Sequence, residues 1–259
     1  MTNILDPVPT WVIMLASALL IFAMSEAGFQ LGRRRGAVEG GRDPSILVQT
    51  SAFTVLALLL GFSFSLALGR YDGRRSALLR EANAINATYL RAQMLDAKTA
   101  SLERADLRAY IEQRLAYARS DADPRQRQLA DARSRMLQRH MWGLATSAAQ
   151  RDPHSTMVPL YISALGDAIA LSREEAAILN AHIPDVVIVW LLLIAFIASA
   201  MMGYGFGREG KRALVFKAIF AVMVALVFGL VLDLDRPQRG LIRINLTPMQ
   251  TVQQSMDAS

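Results

Sequence analysis

The chain has 259 residues, 53% hydrophobic and 19% charged, with a mean hydropathy of +0.27, too apolar for an ordinary soluble domain of this size. It has no cysteine, which excludes a disulfide framework and any thiolate metal site. A net charge of +6 and a pI near 10 would suit nucleic acid, but no nucleic-acid module is recognisable, and arginine beside apolar runs is ordinary membrane-protein composition.

Spanning a bilayer core takes about 20 mostly apolar residues in a helix. Four stretches qualify: Thr10 to Leu31, Ile46 to Gly69, Pro184 to Phe206 and Ala213 to Leu232. The first reads as an uncleaved anchor, because Met1 to Pro9 lacks positive charge while Arg33, Arg34 and Arg35 follow the apolar run. That predicts a transmembrane hairpin over residues 1–69 and a second over 184–235. The connections GRRRGAVEGGRD and REGKR are both dense in basic residues and must share a side of the membrane; the bias of lysine and arginine toward the cytoplasm places them there, with the insert between spans two and three outside. The first span closes Gly28-Phe29-Gln30-Leu31-Gly32-Arg33 and the third Gly203-Tyr204-Gly205-Phe206-Gly207-Arg208. This echo suggests two hairpins of like orientation, a parallel repeat. GFGREG, from Gly205, also fits G-x-G-x-x-G, but it closes an apolar helix and follows no strand, so the dinucleotide reading fails.

The insert, residues 70–183, reads as an extramembrane helical domain continuous with span two. Leu78, Ala82, Ile85 and Tyr89 form an apolar stripe at helical spacing. A second helix near Ser101 to Ser120 puts Leu107, Ile111, Leu115 and Ala118 on one face. Asp123-Pro124 opens a third, to about Gln150. In the fourth, Val158, Ile162, Leu165, Ile169, Ser172, Ala176, Leu179 and Ile183 make a heptad-like seam, packed on the other insert helices or on another subunit. Pro184 need not stop this helix, which the spacing allows to run into span three. Ile242, Ile244 and Leu246 alternate with polar residues, so residues 236–259 are predicted to be an extended tail.

Catalysis finds no support. His140, His154 and His182 have no partners at metal-ligand spacing, and nucleophile, zinc and phosphate-loop motifs are missing; no cofactor or metal is expected. Polar groups at membrane depth say more, because a charge there is costly. Glu26 could pair with Arg33 or with a neighbouring helix. Ser63, Ser65 and the hydroxyl residues near the start of span two allow close helix packing or a wet path. Leu58, Phe62, Ser65 or Leu66, and Gly69 fall on one face of span two, ending at Arg70. Copies of that face around an axis would make an apolar constriction with arginines beyond it, which favours anions; the same face would equally suit lipid. Four spans are too few to enclose a wide path, so any pore requires several copies. Asn83, Asn86 and Thr88 either fix register in a buried seam or lie on a solvated face.

LLLGFSFSLALGRYDGRRSALLREANAINATYLRAQML, HIPDVVIVWLLL and LDLDRPQRGLIRINLTPM together resemble the bacterial bestrophin-like membrane proteins, from about Val48 to Met249. A more distant likeness, carried by Phe64, Arg70, Tyr71, Asp72, Arg75, Asn83 and Arg91, is to true bestrophins, which are pentameric anion channels; Gly73 and Arg74 stand where those have tryptophans. The likeness implies a homo-oligomer, with five copies the leading expectation, that conducts small anions, and a cytoplasmic helical domain, opposite to the loop-charge reading. Asp233 and Asp235 end span four, where acidic groups suit the helix dipole poorly. They predict a cluster of carboxylates and guanidiniums with Arg236, Arg239, Arg70 and Arg74 at the ends of spans two and four, with Asp72 and Arg75 nearby, acting as a clamp or an ion vestibule.

The resulting expectation is an all-α, multi-pass protein of a bacterial inner membrane, in contact with lipid and not with nucleic acid, oligomerising around span two to pass small anions. The alternative from another class is a non-conducting oligomeric scaffold or sensor whose helical domain binds a partner.

Overall fold

The computed structural model describes residues 9–35, 45–120, 123–179, 184–235, 242 and 244–258. These form helices throughout: α1 (Thr10–Arg35), α2 (Ser45–Ala92), α3 (Ala97–Arg119), α4 (Pro124–Arg151), α5 (Met157–Leu179), α6 (Asp185–Arg208), α7 (Leu214–Asp235) and α8 (Thr247–Asp257). Two compact units result, one of residues 1–70 and 182–242, the other of 71–181 and 243–259. The 48-residue α2 supplies residues to both.

In the first unit α1, α6, α7 and the first half of α2 are each long and apolar enough to cross a membrane. Their side chains are not mainly packed on one another: Trp11, Leu15, Leu19, Val186, Trp190, Val215, Phe216 and Met223 all face outward. Such a surface needs lipid or further protein against it. What holds the unit together is close backbone approach. Gly28 lies against the Ala200 carbonyl and Gly32 against that of Tyr204, while Gly203 abuts Ser25 and Gly207 abuts Phe29; a Cβ on any of these four glycines would overlap the facing backbone. The Ser199 hydroxyl donates to the Ile21 carbonyl at 2.6 Å. Pairing advances in the same direction along both helices, so α1 and α6 are parallel. The echo seen in the sequence is thus two small-residue ridges, spaced as in G-x-x-x-G, pressed face to face. A thin core of Ile21, Leu56, Ala195, Ala198, Ala221 and Val224 completes the unit, with the Phe53 and Phe220 rings 5.3 Å apart.

The second unit is built as a water-soluble domain would be. The stripe Leu78, Ala82, Ile85 and Tyr89 of α2 is fully buried against Leu107, Ile111 and Leu115 of α3, Met141 and Ala145 of α4 and Leu165 of α5. Asp96 caps α3 by accepting the Thr99 N–H at 3.1 Å, so that helix starts four residues before the predicted Ser101. Asp123 caps α4, with Pro124 in its first turn. On α5 the buried face includes Val158, Tyr161, Leu165, Ala168, Ser172 and Glu175; the expected seam shares only Val158, Leu165 and Ser172 with it, Ile162, Ile169 and Ala176 lie half-buried on its flank, and Ile183 lies outside the described residues. Thr88 is buried and returns its hydroxyl to Ala84 at 2.8 Å, whereas Asn83 is exposed, so the polar run is divided between seam and surface.

Two expectations are corrected. Pro184 stands at the N-cap of α6 with φ −55° and ψ 133°; that extended ψ ends any continuous path from α5 into span three, as the missing N–H and ring of proline favour. The tail is not extended throughout either. Residues 247–257 form α8, opened by Asn245, whose side chain accepts the Thr247 N–H at 2.9 Å, and by Pro248 in the first turn. Met249, Val252 and Met256 recur at helical spacing and enter the core of the second unit. Alternation holds only up to Leu246; Ile244 and Leu246 pack on that same core.

Candidate functional site

The two faces of α2 inside the first unit differ sharply. Leu56, Ser63 and Ala67 are buried, at spacings of seven and four. Across the helix, Leu58 is 56% exposed, Phe62 59% and Leu66 57%; Ser65 and Gly69 are exposed as well. A Cβ built on Gly61 or Gly69 would meet nothing within 4 Å. The residues singled out in the sequence therefore share one continuous face that the described residues do not cover.

At the end of that face the predicted charges are partly united. The Arg70 guanidinium lies 3.9 Å from the Asp235 carboxylate, which is almost fully buried. Buried Asp233 accepts the backbone N–H of Ile242 at 2.9 Å, so one of the two ill-matched acids tethers the chain beyond the helix and the other tethers α2. Arg74 is buried, while Asp72 and Arg75 are exposed; these three belong to the second unit. Arg236 and Arg239, like Pro237 and Gly240, lie outside the described residues.

A second ionic site in the first unit joins Glu26, for which the sequence leaves a neighbouring helix open as partner, to Lys217, which the sequence reading does not single out. Glu26 receives the ammonium of Lys217 at 3.0 Å and has Arg212 at 3.9 Å. Lys217 is wholly buried and sits 4.1 Å from the centre of the Phe29 ring. Glu26 thus pairs with a neighbouring helix instead of Arg33. Lys217, four residues into the nominal span, was the available signal, because a lysine there demands a partner.

The larger omission is in the second unit. Arg114 of α3 donates to Glu81 of α2 through Nε (2.6 Å) and Nη2 (3.2 Å), and to Glu175 of α5 through Nη2. All three side chains are buried, and the guanidinium lies 4.7 Å from the Tyr117 ring centre. Burial works against the Arg114 charge, but Glu81 and Glu175 more than offset it and hold its pKa above the ordinary value. Burial, reinforced by Glu81 and opposed by Arg114, pushes Glu175 up to about 8. Gln138 of α4 extends the network, donating to Tyr110 and Ser172 at 2.9 Å each; burial and Glu81 push Tyr110 up to about 12. Nearby on α3, burial pushes Glu103 up to about 7 against the hydrogen bond it accepts from Tyr161 at 2.6 Å. His140 contacts Asp106 at 2.6 Å, His154 is exposed, and His182 lies outside the described residues. No local motif marks the Glu81–Arg114–Glu175 group, whose members lie tens of residues apart.

Comparison with known proteins gives a consistent answer. The family model described as a bestrophin-like domain matches residues 47–249. Among solved structures, the fold is similar to a bacterial bestrophin homologue from Klebsiella pneumoniae, with a TM-score of 0.68 at 12% identity over 95% of this chain and 96% of that one. A substituted form of that homologue matches with a TM-score of 0.65 at 14% identity, over 94% and 97%. A crystal structure described as that of a membrane protein reaches 0.72 at 12% identity, over 94% and 97%. No curated protein matches the sequence. At these identities the likeness to solved structures speaks for the fold.

Proposed function

The chain belongs to the bestrophin-like family, and from that premise we propose that it assembles as a symmetric homo-oligomer, a pentamer, around α2 and passively conducts small anions across a bacterial inner membrane. The observation that carries this reading is the uncovered α2 face: Leu58, Phe62, Ser65, Leu66 and Gly69 are exposed among the described residues, whereas Leu56, Ser63 and Ala67 on the opposite face are buried. Copies brought together on that face make a narrow apolar neck, wide enough to admit ions only when wetted. Arg70 stands at its end, partly exposed and with its guanidinium 3.9 Å from the buried Asp235 carboxylate, where its N–H donors favour anions over cations. On the turn of α2 that follows, Asp72 and Arg75 are exposed and Arg74 is buried.

Chloride flux into liposomes carrying the purified protein tests the proposal. Phe62→Ala removes the widest apolar group and raises the flux severalfold; Arg70→Glu lowers the preference for chloride over potassium. An intact oligomer with no flux overturns conduction and leaves the non-conducting scaffold, and a particle that is monomeric overturns both the ring and the lining assigned to α2.

A further inference from the structure

The second unit carries a groove of about 710 Å³ between α4 and α5, within the size range of small-molecule sites. Arg135, Arg139 and Trp142 line it from α4; Gly166, Ile169 and Arg173 line it from α5. Three exposed arginines thus line a groove that also has an apolar and aromatic bed. Asp131 pairs with Arg135 at 2.6 Å, but among the described residues no carboxylate pairs with Arg139 or Arg173. Arg135 and Arg139 are one helical turn apart, where like charges repel unless an anion lies between them. Gly166 keeps the groove open: a Cβ there would come within 3.9 Å of the Trp142 ring and nothing else, and a glycine in mid-helix otherwise costs stability, about 0.5–1 kcal/mol relative to alanine. Under the groove, buried Gln138 is fixed by its bonds to Tyr110 and Ser172, which gives the site a rigid floor.

We propose that this groove binds a small anion built as an acidic head on a flat or aliphatic body, the head gripped by Arg139 and Arg173 and the body laid on Trp142 and Ile169. Arginine suits the task because its planar fork grips carboxylate, phosphate or sulfonate through paired N–H donors. The site stands independently of ion conduction, since none of its residues lies on the α2 face.

Fluorescence anisotropy of pyrene tetrasulfonate, titrated with the full chain in phosphatidylcholine nanodiscs, tests the site. Saturable binding is expected, weakened about tenfold or more in the Arg139→Gln/Arg173→Gln double variant through loss of charge-assisted hydrogen bonds. Gly166→Leu, which fills the groove and leaves every charge in place, weakens it as well. Arg133→Gln removes an exposed arginine of α4 that does not line the groove and leaves binding unchanged. Equal weakening by Arg133→Gln, or full binding by Gly166→Leu, overturns the proposal in favour of unspecific charge attraction. Dissociation of the oligomer by the groove variants overturns it in favour of a subunit contact. Nanodiscs of phosphatidylglycerol distinguish the source of the head: competition with the probe assigns it to a lipid, and unchanged affinity to a soluble anion, either result supporting the site.

Discussion

The two units of this chain solve the packing of helices in opposite ways. In the first, α1 and α6 meet through glycine, alanine and serine with backbones nearly touching, and many of the large apolar side chains point away. In the second, Leu, Ile, Tyr and Met interlock in an apolar interior, and two buried carboxyls, Glu81 and Glu175, meet on one guanidinium. The difference follows from the solvent each unit must satisfy. Apolar side chains gain little by leaving lipid, so association there rests on close contact and interhelical hydrogen bonds; in water, burial of the same side chains is the main driving force.

The largest effect expected of this contrast is at the α1–α6 contact. Gly203→Leu drives a side chain into the Ser25 backbone, and the folded yield of the protein in detergent collapses; size-exclusion profiles measure it, and a normal profile would show that the ridges do not hold the unit together. Next in size is Arg114→Met, which leaves the Glu81 and Glu175 carboxyls facing each other in the interior. A loss of about 3–5 kcal/mol in the second unit follows, read as faster hydrogen exchange of the α3 and α5 amides, with the α1 and α6 amides unchanged.

A smaller effect is expected from pH. Glu175 binds its proton up to about pH 8 in the folded unit, against an ordinary value of 4.5, so the native state holds more protons than the unfolded chain between those limits. Stability of the second unit therefore falls as pH rises through that window and levels off above it. Glu175→Gln flattens the fall without removing it, because Glu103, raised to about 7, contributes in the same direction. Amide exchange, corrected for the intrinsic effect of pH, measures the slope; an equally steep fall in the variant would remove Glu175 from its cause. Least affected is Gly61→Ala: the new methyl meets nothing within 4 Å among the described residues, and thermal stability changes by no more than about 1 kcal/mol.

Legibility in the sequence followed the range of each signal. The stripe from Leu78 to Tyr89 and the caps at Asp123 and Pro124 were readable because their periodicity and hydrogen bonds lie within a turn or two of chain. The uncovered face of α2 was readable for the same reason, although lipid and a subunit axis ask for similar residues. Alternation from Ile242 to Leu246 misled at the tail, where Asn245 and Pro248 open a helix within the next few residues. Lys217 went unnoticed inside a span whose mean composition hid it, and its partner Glu26 lies on another helix.

Sequence alone determined that this is an all-helical membrane chain with four spans, which residues face inward on α2 beyond the first unit and most of those on α3, and that the ends of two spans share one glycine pattern, since all of these are written in composition and local spacing. Only the tertiary structure decided that the two glycine patterns press on each other, that Arg114 joins Glu81 to Glu175, that Asp235 holds Arg70, and that α4 and α5 leave an arginine-lined groove. Each of those depends on pairing groups far apart in the chain, and periodicity along a helix says which way a residue faces without saying what it meets.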